Sequence, residues 1–139
     1  MKPLAEIVAL LKSHAQNAAS QSYSPYSKFK VGAAVIGEGG EIFTGCNVEN
    51  ASYGLTQCAE RNAISAAIAG GLSAGTLMSL VVYTPGEHVC PPCGACRQVM
   101  HEMMAEESQV TSCCDGDVYK TWTRNDYLPD AFVPEISEG

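Results

Sequence analysis

The sequence predicts an α/β fold: a mixed five-stranded sheet covered by helices on both faces, in three layers (α/β/α). Two observations carry this. A hairpin pattern follows an opening amphipathic helix, and helical and strand-like segments alternate from there to the end of the chain.

Leu4, Ile7, Val8 and Leu11 recur at helical spacing, so residues 3–19 form a helix with its apolar stripe turned inward. "SQSYSPYSK" (20–28) breaks that period as a loop. "FKVGAAVIG" (29–37) and "EIFTGCNV" (41–48) are two strands, and "EGG" between them makes the tight turn of an antiparallel hairpin. "ENASYGLTQ" (49–57) has no period and is a loop, where binding residues tend to sit. "CAERNAISAAIAGG" (58–71) is an alanine-rich helix that stops at Gly70 and Gly71. "LMSLVVYT" (77–84) is a short apolar strand buried on both faces. A helix over about 93–105, strands near 108–114 and 117–121, and a last helical turn at "RNDYL" complete the pattern. The polar tail "VPEISEG" is expected to fray.

The 139 residues fit one domain, 1–139, long enough to bury a true core. A composition of 46% hydrophobic and 17% charged residues is that of a globular protein. No window approaches the roughly 18 apolar residues of a spanning helix, and "MKPLAEIVALLK" mixes acid and base where a signal peptide has an unbroken apolar core. A cytoplasmic, membrane-free protein is expected. Eight Lys plus Arg against 15 Asp plus Glu give a net charge of −7, which repels a nucleic-acid backbone or an anionic membrane. A small neutral or cationic ligand suits it better.

The seven cysteines (46, 58, 90, 93, 96, 113 and 114) are odd in number and without a secretory signal, so metal binding or catalysis is favoured over disulfides. Cys93 and Cys96 are three apart at the start of a helix and point to one side, where they can clamp one ion. The positive end of that helix also favours thiolates. Cys58 is the candidate third ligand, because it opens the other helix just before "AER". Glu60 lies two positions further on, nearly opposite Cys58 on a regular helix, so the first turn must lie beneath the metal for Glu60 to overlook its open position. An iron–sulfur site would need a fourth cysteine where Met100 stands. A closed zinc site of Cys58, Cys90, Cys93 and Cys96 is a further alternative, though it leaves Glu60 without a purpose. Cys46, Cys113 and Cys114 are read as small buried hydrophobes, and Cys90 as lying outside the metal shell. His14 and His101 are read as surface residues within helices, and nothing in the spacing of His88 demands a ligand role.

"CAE" at 58–60 followed by "PCGAC" at 92–96 resembles the cytidine deaminase superfamily. "YSPYSKFKVGAA", "GCNVENASYG", "CAERNAI", "CPPCGACRQVM" and "LPDAF" together resemble the small, homotetrameric, zinc-dependent deaminases of free nucleosides, over about residues 23–132. The resemblance implies the cytidine-deaminase-like version of the three-layer fold. It also implies one Zn²⁺ per chain held by Cys58, Cys93 and Cys96, with Glu60 as the general acid-base. Arg61 resembles the family arginine that hydrogen-bonds ligand thiolates and offsets their charge. The backbones of Ala59 and Cys96 should sit near the metal and offer amide hydrogen bonds. Asn47 and Glu49 match the pair that holds the ribose 3′-hydroxyl, and Phe29 the aromatic against the pyrimidine. Tyr53 and Phe132 match aromatics that complete a neighbouring subunit's pocket in a homotetramer. The implied reaction is hydrolytic deamination of cytidine and 2′-deoxycytidine, a step of pyrimidine salvage. Blasticidin S deaminase shares Cys-Ala-Glu and Pro-Cys-Gly-x-Cys and is the alternative within the superfamily. The "FKVGAA" and "NVENASYG" stretches favour the cytidine enzyme. A non-enzymatic zinc or iron–sulfur module is a second alternative, and polynucleotide editing, disfavoured by the negative charge, a third.

Overall fold

The computed structural model describes residues 4–135. Pro3 of the expected first helix and residues 136–139 of the tail lie outside the described residues. Helix α1 (Leu4–Ala19) buries Ile7, Val8, Leu11, Ala15 and Ala19, one stripe at helical spacing. Strands β1 (Gly32–Gly37) and β2 (Ile42–Cys46) pair antiparallel across the Glu38–Gly40 turn, with Gly40 at φ +91°. A single 3₁₀ turn (Tyr53–Leu55) precedes α2 (Ala59–Ala69), β3 (Leu77–Tyr83), α3 (Gly94–Met103), β4 (Met104–Cys113), β5 (Tyr119–Thr123) and α4 (Arg124–Tyr127). The five strands run in the order β2-β1-β3-β4-β5, and only β3 and β4 are parallel. The expected mixed five-stranded sheet is therefore observed.

Strand alternation produces the three layers, because successive side chains leave a strand on opposite faces. Ala33 and Val35 of β1, with Leu80 and Val82 of β3, pack against Ala63, Ile64 and Ala67 of α2 and Met100 of α3. Ala34 and Val81, one residue out of phase, pack against Ile7, Leu11 and Ala15 of α1.

Several boundaries differ from expectation. Phe29 is not part of β1. The Asn47 side chain takes the place of a strand there, its Nδ2 donating to the Phe29 carbonyl at 2.8 Å while its Oδ1 accepts from the Val31 amide at 2.9 Å. β4 follows α3 without a loop, since Met104 turns extended at φ −83°, ψ 151° with no glycine or proline to mark the stop. β5 starts two residues later than expected, after the Asp115–Asp117 bend. Cys113 and Cys114 are buried as expected, whereas Cys46 is only half-buried at the end of β2. His14 is exposed and His101 partly so. Among the described residues no helix is long and apolar enough to cross a membrane.

Two glycines allow the layers to approach closely. A Cβ on Gly32 would lie 1.8 Å from the Ala15 carbonyl oxygen of α1. A Cβ on Gly45 would lie 2.4 Å from the Ala63 nitrogen and 2.7 Å from the Ala59 oxygen of α2. Those neighbours are backbone atoms, which cannot rotate away. Gly45→Ala is expected to destabilise the protein by about 1–3 kcal/mol through overpacking, read as a lower denaturation midpoint in urea. Unchanged stability would show that α2 does not rest on β2 this tightly.

Candidate metal centre and substrate cavity

Two helix starts build the centre. Cys58 is the N-cap of α2, held extended at φ −74°, ψ 152°. The chain reaches it through a two-way backbone bridge between Val48 and Gln57, 2.9 Å in each direction. Cys93 is the N-cap of α3 at φ −69°, ψ 165°, and Cys96 sits one turn in, its amide donating to the Cys93 sulfur at 3.5 Å. The extended N-cap removes the difficulty of the two-residue offset between Cys58 and Glu60. Because Cys58 is not yet helical, its side chain and that of Glu60 need not diverge as they would on a regular helix.

The sulfurs of Cys58, Cys93 and Cys96 all lie within 4.8 Å of one another, with Cys58–Cys93 at 4.0 Å and Cys93–Cys96 at 3.4 Å. Tetrahedral zinc with Zn–S bonds of about 2.3 Å needs sulfurs about 3.8 Å apart. The three thiols thus fit one zinc ion. Cys90 stands outside this cluster, so a closed four-cysteine site does not form.

Charge at the cluster is unbalanced. Cys58 is pulled down to about 5, first by its hydrogen bond with Cys96 and then by Arg61, whose Nη2 donates to the Cys58 sulfur at 3.3 Å. The same sulfur–sulfur bond, burial and Glu60 push Cys96 upward. Three converging sulfurs cannot all ionise without a further cation. Arg61 supplies part of that charge, and the N-termini of α2 and α3 add their partial positive ends.

Glu60 is 6% exposed. Burial raises its carboxyl above the usual carboxylate range, and the Cys58 charge adds to the effect. It lines a cavity of about 210 Å³ together with Cys58, Ala59, Phe29 and Asn47. A neighbouring cavity of about 280 Å³, which shares Thr56, is lined by Glu49, Tyr26, Ser27 and Tyr53. Glu49 accepts hydrogen bonds from the amides of Tyr26 (3.0 Å) and Ser27 (3.1 Å) and from the Ser27 hydroxyl. The Ser27 bond, aided by these amides and Lys28, lowers its carboxyl below the usual range, so it is a fixed anionic acceptor.

The structure therefore brings Phe29, Asn47, Ala59 and Glu60 together beside the three cysteines, with Glu49 and Tyr53 next door. Phe132 lines neither cavity and is 73% exposed. Cys90, read from sequence as lying outside the metal shell, lines the cavity that holds Glu60, together with Pro91. Their position just before Cys93 was the available signal, since the loop that delivers a ligand must pass the site. A further cavity, of about 540 Å³, lies at the opposite end of the sheet among Ile7, Ile36 and Met78, and its lining includes no cysteine or histidine.

A family profile described as the cytidine and deoxycytidylate deaminase zinc-binding region matches residues 6–112. The chain belongs to this family. A cytidine deaminase of Halalkalibacterium halodurans is 40% identical over 127 residues, 91% of this chain and 94% of that protein. One of Mycobacterium tuberculosis is 42% identical over 123 residues, 88% of this chain and 87% of that protein. The crystal structure of a cytidine deaminase from Burkholderia pseudomallei superposes with a TM-score of 0.85 at 43% identity, covering 89% of this chain and 98% of that one. The family is zinc-binding, and the thiol cluster is positioned for that ion.

Partners that hydrogen-bond a ligand typically carry about 10- to 100-fold of metal affinity. Arg61→Gln is expected to weaken zinc binding by that factor in competition with a chromogenic chelator. Equal affinity would mean that the Arg61–Cys58 contact does not balance the thiolate charge.

Proposed function

We propose that this chain is a zinc-dependent cytidine deaminase that converts cytidine and 2′-deoxycytidine, with water, to uridine or 2′-deoxyuridine and ammonia, as in pyrimidine salvage. The observation that carries it is the pairing of three thiols within 4.8 Å with a buried Glu60, its carboxyl raised by that burial, on one cavity wall. Family membership and relatives named cytidine deaminase at high mutual coverage support it. No relative named above is a blasticidin S deaminase.

Cys58, Cys93 and Cys96 hold the zinc. When bound, it supplies the Lewis acidity that makes a water reactive near neutral pH. Glu60 takes a proton from that water and passes it to ring N3 as oxygen adds to C4. It then takes the second proton from the added oxygen and delivers it to the amine, so that the C4–N bond breaks, ammonia leaves and the carbonyl of uridine forms. A carboxyl raised by burial is suited to giving as well as taking a proton. The two helix starts set Glu60 beside the thiols, with the Ala59 backbone lining the same cavity and the Cys96 amide turned to the Cys93 sulfur.

Phe29 packs against the pyrimidine, and Asn47 and Glu49 hold the ribose 3′-hydroxyl, which both sugars share. One Asn47 Nδ2 hydrogen is spent on the Phe29 carbonyl, leaving a second for the sugar. Glu49 is ionised and can accept from that hydroxyl. The net charge of −7 supports a neutral nucleoside over a polynucleotide or a membrane surface. Seven unpaired cysteines support a reducing, cytoplasmic setting. The exposure of Phe132 (73%) and Tyr53 (73%) supports a homotetramer in which these rings complete a neighbour's pocket.

Glu60→Gln keeps the shape and removes the proton relay. It is expected to cut ammonia release from cytidine by about 10²- to 10⁴-fold while zinc stays near one per chain. Activity close to that of the unmodified chain would overturn the acid-base assignment. Loss of zinc along with activity would show instead that Glu60 shapes the metal site.

A further inference from the structure

The two residues that follow the last metal ligand, Arg97 and Gln98, bond away from the cavity. Arg97 Nε donates to the Pro92 carbonyl at 2.8 Å, fixing the residue just before Cys93. Arg97 Nη1 donates to the Tyr127 carbonyl at 3.1 Å, at the end of α4. Gln98 Nε2 donates to the Phe132 carbonyl at 3.1 Å. A third tie, from Arg124 Nε to the His101 carbonyl at 2.9 Å, joins the same two segments. Residues 124–132 are thereby stitched to the helix that bears Cys93 and Cys96.

The stitched segment ends in an aromatic ring that its own chain leaves in solvent. Phe132 is 73% exposed and Val133 67% exposed, whereas Tyr127, five residues earlier, is 1% exposed. A hydrogen bond that fixes the backbone at Phe132 stabilises little of this chain's core. Its effect is to hold the backbone from which the ring projects in one place relative to α3.

We propose that Gln98 is a positioning residue for the deaminase reaction, acting through Phe132. By fixing the Phe132 backbone to the metal helix it sets where that ring enters the substrate pocket of a second copy of the chain. Arg97 anchors the same strap at its root and ties it to the metal loop at Pro92. The inference rests on the reading of Phe132 as a ring that completes a neighbour's pocket. Its consequence is confined to substrate affinity, because Gln98 lines neither of the two cavities at the site.

The test uses three variants of the full-length, zinc-loaded protein: Gln98→Glu, Phe132→Ala and the double variant. Gln98→Glu conserves shape but sets a carboxylate against the Phe132 carbonyl. It is expected to raise KM for cytidine about fivefold, the effect of one lost neutral hydrogen bond, with kcat and zinc content unchanged. The dissociation constant for uridine, measured by calorimetry, should rise by the same factor. The double variant should have the KM of Phe132→Ala alone, since a residue acting through the ring has nothing to add once the ring is gone. An unchanged KM in Gln98→Glu, a fall in kcat, or effects that multiply in the double variant would each overturn the proposal. If Phe132→Ala itself leaves KM unchanged, the neighbour-pocket reading fails and takes this inference with it. If Phe132→Ala raises KM while Gln98→Glu does nothing, only the role of Gln98 is lost.

Discussion

The convergence of two helix starts is the constraint on which the rest of the molecule depends. α2 and α3 begin at cysteines held extended, Cys58 and Cys93, so the sulfurs project ahead of the helices toward a common point. Each helix also directs unpaired amides and a partial positive charge to that point. A site that must hold three thiolates needs that bias, because like charges at 3.4–4.0 Å repel strongly in a partly buried setting. The close approach of α2 to β2 at Gly45 and the Val48–Gln57 bridge hold α2 in its place. The parallel β3–β4 pair, with α3 as its crossover, places the other helix start at the same end of the sheet.

The same arrangement divides the labour of the chemistry. Arg61 turns outward from the helix start to bond the Cys58 sulfur, and Glu60 turns into the cavity. On the proposed mechanism these adjacent residues serve opposite needs, one cationic to balance sulfur and one acidic to carry protons. Asn47 shows a comparable economy. Its side chain completes the backbone bonding of Phe29 and Val31, which fixes the aromatic wall, while remaining at the cavity. Removing it would disturb the wall as well as any ligand contact.

Much of this was legible in the sequence because it is local. The apolar stripe of α1, the all-apolar β3, the hairpin turn at Glu38–Gly40 and the glycine stop of α2 each follow from period or turn chemistry within a few residues. So does the three-residue spacing of Cys93 and Cys96. What was not legible depends on partners distant in the chain. Phe29 leaves the strand because Asn47, 18 residues on, takes its carbonyl. The offset of Glu60 from Cys58 resolves only once the extended N-cap is seen. The abrupt passage from α3 to β4 at Met104 lacks any glycine or proline to announce it. Cys90 joins the cavity, and Arg97 and Gln98 strap the C-terminal segment, through contacts of up to 34 residues in separation that no local pattern encodes.

The central claim is that one zinc ion sits on three sulfurs with its fourth position open to water. Zinc-edge X-ray absorption on the purified, zinc-loaded protein tests it most directly. The account predicts three sulfur scatterers at about 2.3 Å and one oxygen. Four sulfurs, with Cys90 drawn in, or fewer than three would contradict it.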